Sequence, residues 1–347
     1  MRLSSFASAL VVAPLCLALA PGADRIAFHP SDDSKLAKRF TIKADVELGD
    51  VTFEVDGQDM TGELPSDVGF GVDMFTEIVD HYIKVEDGKP LELVREFSQS
   101  KADYHALEEH GSKDDITELD GKKVRFKWNE GEKRYDVSFA DGEGKPDALE
   151  GLGVDMDLRT LLPGKSVSEG DTWAVDGKGL ATALLLGLDL EHMPALGEGG
   201  GEDAELLEMF KSDLLPQLEK FRDEFKATCE YAGQREVGGH KVAAIKIKLD
   251  VNGSIDIAEL VRKAIGAQAG AEQIELKIDD ASLKLGVKGE GELLWDTSGG
   301  HAHAFDMNAD IEFAAKLAMS VKAEGRNVTV DGGAELLGKS HWTMALK

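Results

Sequence analysis

The feature that most constrains this chain is a run of strict period-two alternation over residues 305–323. Phe305, Met307, Ala309, Ile311, Phe313, Ala315, Leu317, Met319, Val321 and Ala323 share one phase, and the residues between them are mostly small, polar or charged. Successive strand side chains point to opposite faces, so this spacing specifies β-structure with one apolar face and one wetter face. At ~3.3 Å per residue the run approaches ~60 Å, far beyond a usual strand. It is expected to bend, to bulge at Ala314 and Ala315, or to turn near Asn308. Long curved strands of this kind suit a large open or half-closed barrel.

The same period recurs along the chain. Ile42, Ala44, Val46 and Leu48 alternate with Lys43, Asp45 and Glu47, and Val51, Phe53 and Val55 resume the pattern after Gly49 and Asp50. Val124, Phe126 and Trp128 lead through Asn129-Glu130-Gly131-Glu132 into Tyr135, Val137 and Phe139, which is a hairpin signal. Ile245, Ile247 and Leu249 form another set, as do Leu283, Leu285 and Val287.

Helical signals are fewer. Residues 203–227 place Leu207, Phe210, Leu214, Leu218, Phe221 and Phe225 on one stripe, interrupted by Pro216 and preceded by the acidic connector of residues 197–203. A second helix is expected after Asp256, over residues 256–268, with Glu259 completing a capping box and Ile257, Leu260, Val261, Ala264 and Ile265 facing inward. Short helical turns are expected at 72–79 and 155–162. The expected fold class is α+β: a long curved antiparallel sheet or half-barrel partly covered by two or three helices. The expected organisation is a leader over residues 1–23, a β-rich half over 24–202, and a helical segment with a second β-rich half over 203–347. The two halves are compatible with one continuous domain.

The start of the chain resembles a secretory signal. Arg2 is followed by an uncharged apolar stretch over residues 6–20, and then by small residues at Ala20, Gly22 and Ala23. The apolar run falls short of the ~20 residues that span a bilayer, so no transmembrane span is expected in the mature chain. An exported protein, periplasmic or extracellular in a bacterium, is the expectation. Cys16 lies inside the leader, which leaves Cys229 alone in the remainder, so no internal disulfide is expected. Cys229 is read as a buried thiol at the end of a helix.

Charge narrows the partners. The net charge is −27, and loss of Arg2 takes it to −28. Duplex nucleic acid needs a basic face, and none is visible. The 42% share of hydrophobic residues is enough to build a core, which excludes wholesale disorder.

Several constellations invite chemical readings. Gly164-Lys165-Ser166 fails as a phosphate loop because Arg159 stands where the first glycine belongs. Residues 250–261, from Asp250 through Asn252, Ser254 and Asp256 to Glu259, resemble a calcium loop but lack its third ligand and turn glycine, and a strand leading to a capped helix explains them too. His301 and His303 occupy one face of a strand at a spacing that can seat zinc, although solvent-exposed turn histidines fit the same pattern. His105 and His110 are five apart and do not align as a helical zinc motif. His341, in the last strand, is expected to face water. Asn252-Gly253-Ser254 and Asn327-Val328-Thr329 match the glycosylation pattern, which matters only in a eukaryotic secretory route.

Two segments carry a resemblance. The stretch from Leu161-Leu162-Pro163 through Val167 to Gly170-Asp171-Thr172-Trp173 is similar to an LP…V…GDTW stretch of uncharacterised exported bacterial β-rich proteins, and Gly291 with Trp295-Asp296 and Gly299 resembles their G…WD…G hairpin. That group has no established activity, so the resemblance implies no catalytic residues and no cofactor. At the level of architecture, long curved strands with helices also resemble the periplasmic lipid and lipoprotein carriers of the LolA/LppX type, a likeness of fold that transfers no function.

The functional expectation is a non-enzymatic protein that binds an apolar ligand or lipid on the concave face of its sheet. Phe305, Met307, Phe313, Leu317 and Met319 are the candidate lining, and the same residues serve equally well as filled core. The alternatives are a metal-dependent hydrolase using His301 and His303, and an envelope interaction protein with no pocket.

Overall fold

The computed structural model describes residues 23–63, 69–106, 113–116, 118–149, 151–177, 179–180, 226–268, 275–323 and 326–347. The N-terminal half supplies β1 (Asp24–Arg25), β2 (Ser34–Val55), β3 (Gln58–Asp59), β4 (Gly69–Glu86), β5 (Lys89–Ala106), β6 (Lys113–Ile116), β7 (Lys123–Asn129) and β8 (Arg134–Phe139). Two short strands follow, β9 (Ser166–Val167) and β10 (Thr172–Asp176). The C-terminal half supplies β11 (Lys226–Val237), β12 (His240–Asp256), helix α1 (Ala258–Gln268), β13 (Glu275–Asp296), β14 (His301–Ala323) and β15 (Arg326–Leu346).

Thirteen of these strands form one antiparallel sheet in the order β10-β11-β12-β13-β14-β15-β2-β4-β5-β7-β8, with β3 and β6 pairing at its side. Hairpins join β4 to β5, β7 to β8, β11 to β12, β13 to β14 and β14 to β15, and helix α1 stands between β12 and β13. The pairing that closes the topology is β15 against β2, which joins the two ends of the chain from Val330↔Val55 to Leu346↔Lys38. The sheet is open, since β10 and β8 end the order without pairing each other.

This overturns the α+β expectation. Among the described residues α1 is the one helix of any length, and the architecture is almost entirely strand. The helix read over 203–227 falls on residues outside the described ones, except Lys226 and Ala227, which begin β11. Residues 72–79 lie within β4, not in a helical turn, because long-range pairing with β2 and β5 satisfies their backbone. Only Arg159–Leu161 makes a 3-10 turn within the expected segment 155–162. Helix α1 begins where expected, with Asp256 Oδ1 accepting the Ala258 N–H at 2.8 Å.

Strand β14 also departs from expectation. It runs through Ala314, Ala315 and Asn308 without a break in pairing to β15. Along the stretch from Phe305 to Ala323 the irregularities lie in its neighbours. Residues Gly49 and Asp50 of β2 oppose the single Glu335, which is why the apolar phase jumps from Leu48 to Val51. A second bulge falls at Asp279 of β13, between Ile278↔Met319 and Asp280↔Ala318.

The hydrophobic core lies on one face, here called the inner face; it fills the proximal end and continues distally along β12 through Leu249, Val251 and Ile255. Phe40, Ile78, Leu93, Phe126, Ile245, Leu293, Trp295, Phe305 and Met344 point into it from the sheet. Ile26 and Phe28, then Met156, Leu158, Leu161 and Val167, cover them from two segments outside the large sheet, joined by Leu180 after β10. These covering segments are stitched together by the two-stranded pairing of β1 with β9 and anchored by Trp295 Nε1 donating to the Ala27 carbonyl at 3.2 Å.

Candidate functional site

The five apolar residues expected to line a ligand face do lie on one face of β14, but in two environments. Phe305 and Met307 are buried within the proximal core. Phe313, Leu317 and Met319 are half-buried, and belong neither to that core nor to the side chains packed on it. Register carries the distal apolar surface across three strands. Phe313 stands between Leu285 of β13 and Leu336 of β15, and Met319 between Ile278 and Val330. Leu48, Val51 and Phe53 extend the same face onto β2. The distal inner face is therefore a broad apolar surface along strands of 21–23 residues.

A cleft of about 580 Å³ opens on the opposite face, and one of about 390 Å³ at the distal end has Met319 and Val330 in its lining. The floor of the larger cleft is a charge ladder across four strands, Asp45–Lys339–Asp310–Lys288, bordered by Glu47 and Glu312. Cross-strand opposite charges of this kind stabilise a wet sheet face modestly.

A polar cluster that the alternation pattern did not reveal lies inside the proximal core. Lys38 of β2, Asp80 and Tyr82 of β4 and Arg95 of β5 all project inward and are fully buried. Lys38 Nζ donates to Asp80 Oδ2 at 2.8 Å, to the Tyr82 hydroxyl at 2.8 Å and to Asp157. The Tyr82 hydroxyl in turn donates to Asp157 at 2.7 Å, while Arg95 Nε donates to Asp80 Oδ1 at 2.7 Å. The remaining Arg95 donors reach the Gly153 and Val154 carbonyls at 3.2 and 3.1 Å. Asp155 and Arg159 pair alongside at 3.0 Å.

Three acids face three bases, so the cluster is charge-balanced, as burial demands. Burial pushes the Asp80 carboxyl upward, but Arg95 and Lys38 outweigh it and hold the group at about 2. Burial followed by the nearby Asp157 and Asp80 charges pushes the Tyr82 hydroxyl well above its ordinary value, so it stays protonated and donating. Lys38, Asp80, Tyr82, Arg95 and Asp157 have almost no exposed surface, and the arrangement acts as a clamp that fixes residues 153–159 across the sheet. A sequence signal existed: Lys38 precedes Phe40 and Ile42 on their own apolar phase, as Asp80 follows Ile78 and Arg95 separates Leu93 from Phe97.

The histidines expected in a solvent-exposed turn are instead in β14, with His301 buried and His303 half-buried. Leu294 pairs with Ala304 and Trp295 with Ala302, leaving His303 as the extra residue of a β-bulge. The bulge brings His303 against His240 of β12, ring centres 5.0 Å apart. Asp296 binds His240 Nδ1 at 2.8 Å and accepts the Ser298 and Gly299 N–H groups, both at 2.8 Å. The hairpin tip needs glycine: Gly300 has φ +66°, and a Cβ there would strike the His29 ring. Burial, then the neighbouring His240 charge, lowers the His303 pKa.

Other candidates resolve simply. Asp250, Asn252, Ser254 and Asp256 lie along extended β12 and cannot converge on one ion, because calcium ligands must stand ~2.3–2.6 Å from it. Gly164 takes φ +65° in a turn. The side chains of His105 and His110 lie outside the described residues. His341 is half-exposed and reaches Asp306 at 3.2 Å. Cys229 is buried in β11, not at a helix end. Among the described residues, no helix is long and apolar enough to cross a membrane.

No family model matches the chain, and no curated protein matches it either. Among solved structures, lipovitellin, in a structure concerned with its lipid–protein interactions, aligns over 92% of this chain at 10% identity with a TM-score of 0.35. The chain spans about a quarter of that protein, 25% of its length. An outer membrane channel from Pseudomonas putida F1 aligns over 90% of this chain and 96% of its own at 8% identity, TM-score 0.18. A mutant porin of Rh. blastica aligns over 86% and 99% at 6% identity, TM-score 0.14.

Proposed function

We propose that this chain is an exported, non-enzymatic protein that takes up apolar molecules, lipid acyl chains in particular, on the distal inner face of its sheet. The observation that carries this reading is the split along β14, where Phe313, Leu317 and Met319 stand outside the core that claims Phe305 and Met307. A contiguous apolar surface of this breadth is costly to leave in water, and such patches mark binding sites for apolar partners. Linear acyl chains suit an open face better than an enclosed pocket does, because they can lie along the strands. The apolar leader over residues 6–20 supports export to the periplasm or the extracellular space, where lipid would be met. The ion clamp supports a positioning role, since it fixes the proximal cover and leaves the distal face to the ligand.

The test is titration of the purified chain with an environment-sensitive fluorescent fatty acid, followed by competition with unlabelled lipid. Saturable binding is expected, weakened at least tenfold in the double variant Phe313→Glu, Leu317→Glu and unchanged in Asp310→Asn on the opposite face. A wild-type chain with no saturable signal overturns the reading.

A further inference from the structure

We propose that the base of the β13–β14 hairpin binds a divalent first-row transition ion through His240 and His303, with Asp296 orienting His240. The geometry starts from the bulge, which displaces His303 from the ladder and sets its ring 5.0 Å from that of His240. Two imidazoles bound to a shared ion at about 2.0–2.1 Å hold their ring centres about 5 Å apart. Stacking alone would explain the ring contact but leaves one atom unexplained. His303 Nδ1 is buried and has no hydrogen-bond partner, and such an orphan in a folded protein points to a missing ion or water.

The surroundings match what a metal-bound imidazole requires. Asp296 is buried, is itself held by two backbone N–H groups, and takes the Nδ1 side of His240. A carboxylate in that position fixes the tautomer and leaves Nε2 with its lone pair free for a metal. Among the described residues no three His, Cys, Asp or Glu side chains group around one point, so the proposed site offers two protein ligands. The ligand set therefore differs from the His301 and His303 pair suggested by spacing: the His301 Nδ1 already contacts the Ala302 carbonyl at 3.1 Å.

The ion's role would be local. The hairpin tip is bound to the N-terminal segment by His29 N–H donating to the Gly300 carbonyl at 2.9 Å, so a bridge between β12 and β14 would stiffen the anchor of the proximal cover. Nitrogen ligands order affinities with copper above zinc.

The experiment is calorimetric titration of the full, tag-free chain with Zn²⁺ and separately with Cu²⁺. One ion per chain is expected, Cu²⁺ tighter than Zn²⁺, with His303→Gln and His240→Ala each weakening binding at least tenfold. Asp296→Asn should weaken it about tenfold or more, as loss of an orienting carboxylate does, and His341→Ala should leave it unchanged. Should a variant misfold by circular dichroism, the wild-type chain supplies its own readout: Cu²⁺ must broaden the His240 and His303 imidazole resonances before those of His341. Absence of one-to-one binding, or equal loss in His341→Ala, overturns the proposal and leaves a water at His303 Nδ1.

Discussion

Phe305 and Phe313 share a strand, a face and a residue type, yet one is in the core with 5% of its surface exposed and the other is half-buried outside it. Nothing in β14 itself distinguishes them. The difference comes from what lies above: the proximal half is roofed by the segments carrying Phe28, Met156 and Leu161, and a buried ion cluster clamps that roof down. On β14 the distal residues Phe313, Leu317 and Met319 keep the same apolar phase without being part of that core. A period-two pattern thus specifies which face is apolar but not whether that face is filled by protein or offered to a ligand.

The largest effect should come from cutting the clamp. Asp80→Ala strands Arg95 as a buried cation with no carboxylate and leaves Lys38 with Asp157 alone, and breaking such a cluster costs about 3–5 kcal/mol. Urea unfolding monitored by tryptophan fluorescence measures it; a loss under about 1 kcal/mol would mean that the proximal roof does not depend on the clamp. The paired aromatic substitutions come next. Phe305→Ala should cost about 3–5 kcal/mol, whereas Phe313→Ala should cost less than half as much, and equal losses would erase the distinction between the halves.

Acid should separate the regions in turn. The folded carboxyl of Asp80 lies at about 2, below its ordinary 3.8, so its contribution is fully present above about pH 4 and is lost as pH falls through about 2. Near-ultraviolet circular dichroism should therefore show the proximal core loosening in that window, and an unchanged signal down to pH 2 would count against the cluster. The smallest effect is chemical. Burial raises the Cys229 thiol to about 12, so it should resist a thiol reagent until the protein unfolds. A cysteine placed at Ala315 on the distal face should react in the native protein, and equal protection at both sites would mean that the distal face is covered.

Much of the strand content was legible because alternation is written locally. The phase of β14, the hairpin from Val124 to Phe139 and the capped start of α1 follow from residues within a few positions of each other. Even the Gly49–Asp50 bulge is visible as a phase jump between Leu48 and Val51. The helical expectation for 72–79 failed because propensity there is weak and pairing with β2 and β5 decides the conformation. The placement of His303 was not legible either, since a bulge depends on the partner strand as much as on its own.

By itself, the sequence determined that this chain forms long antiparallel strands with one apolar face, since each strand's periodicity is carried by its own side chains. Tertiary structure decided the rest: the junction of β15 with β2, the end of the face that is roofed, and the burial of Lys38, Asp80 and Arg95 together. Those outcomes depend on groups far apart in the chain, Lys38 and Asp157 among them, whose charges are tolerable in the interior only because they meet there.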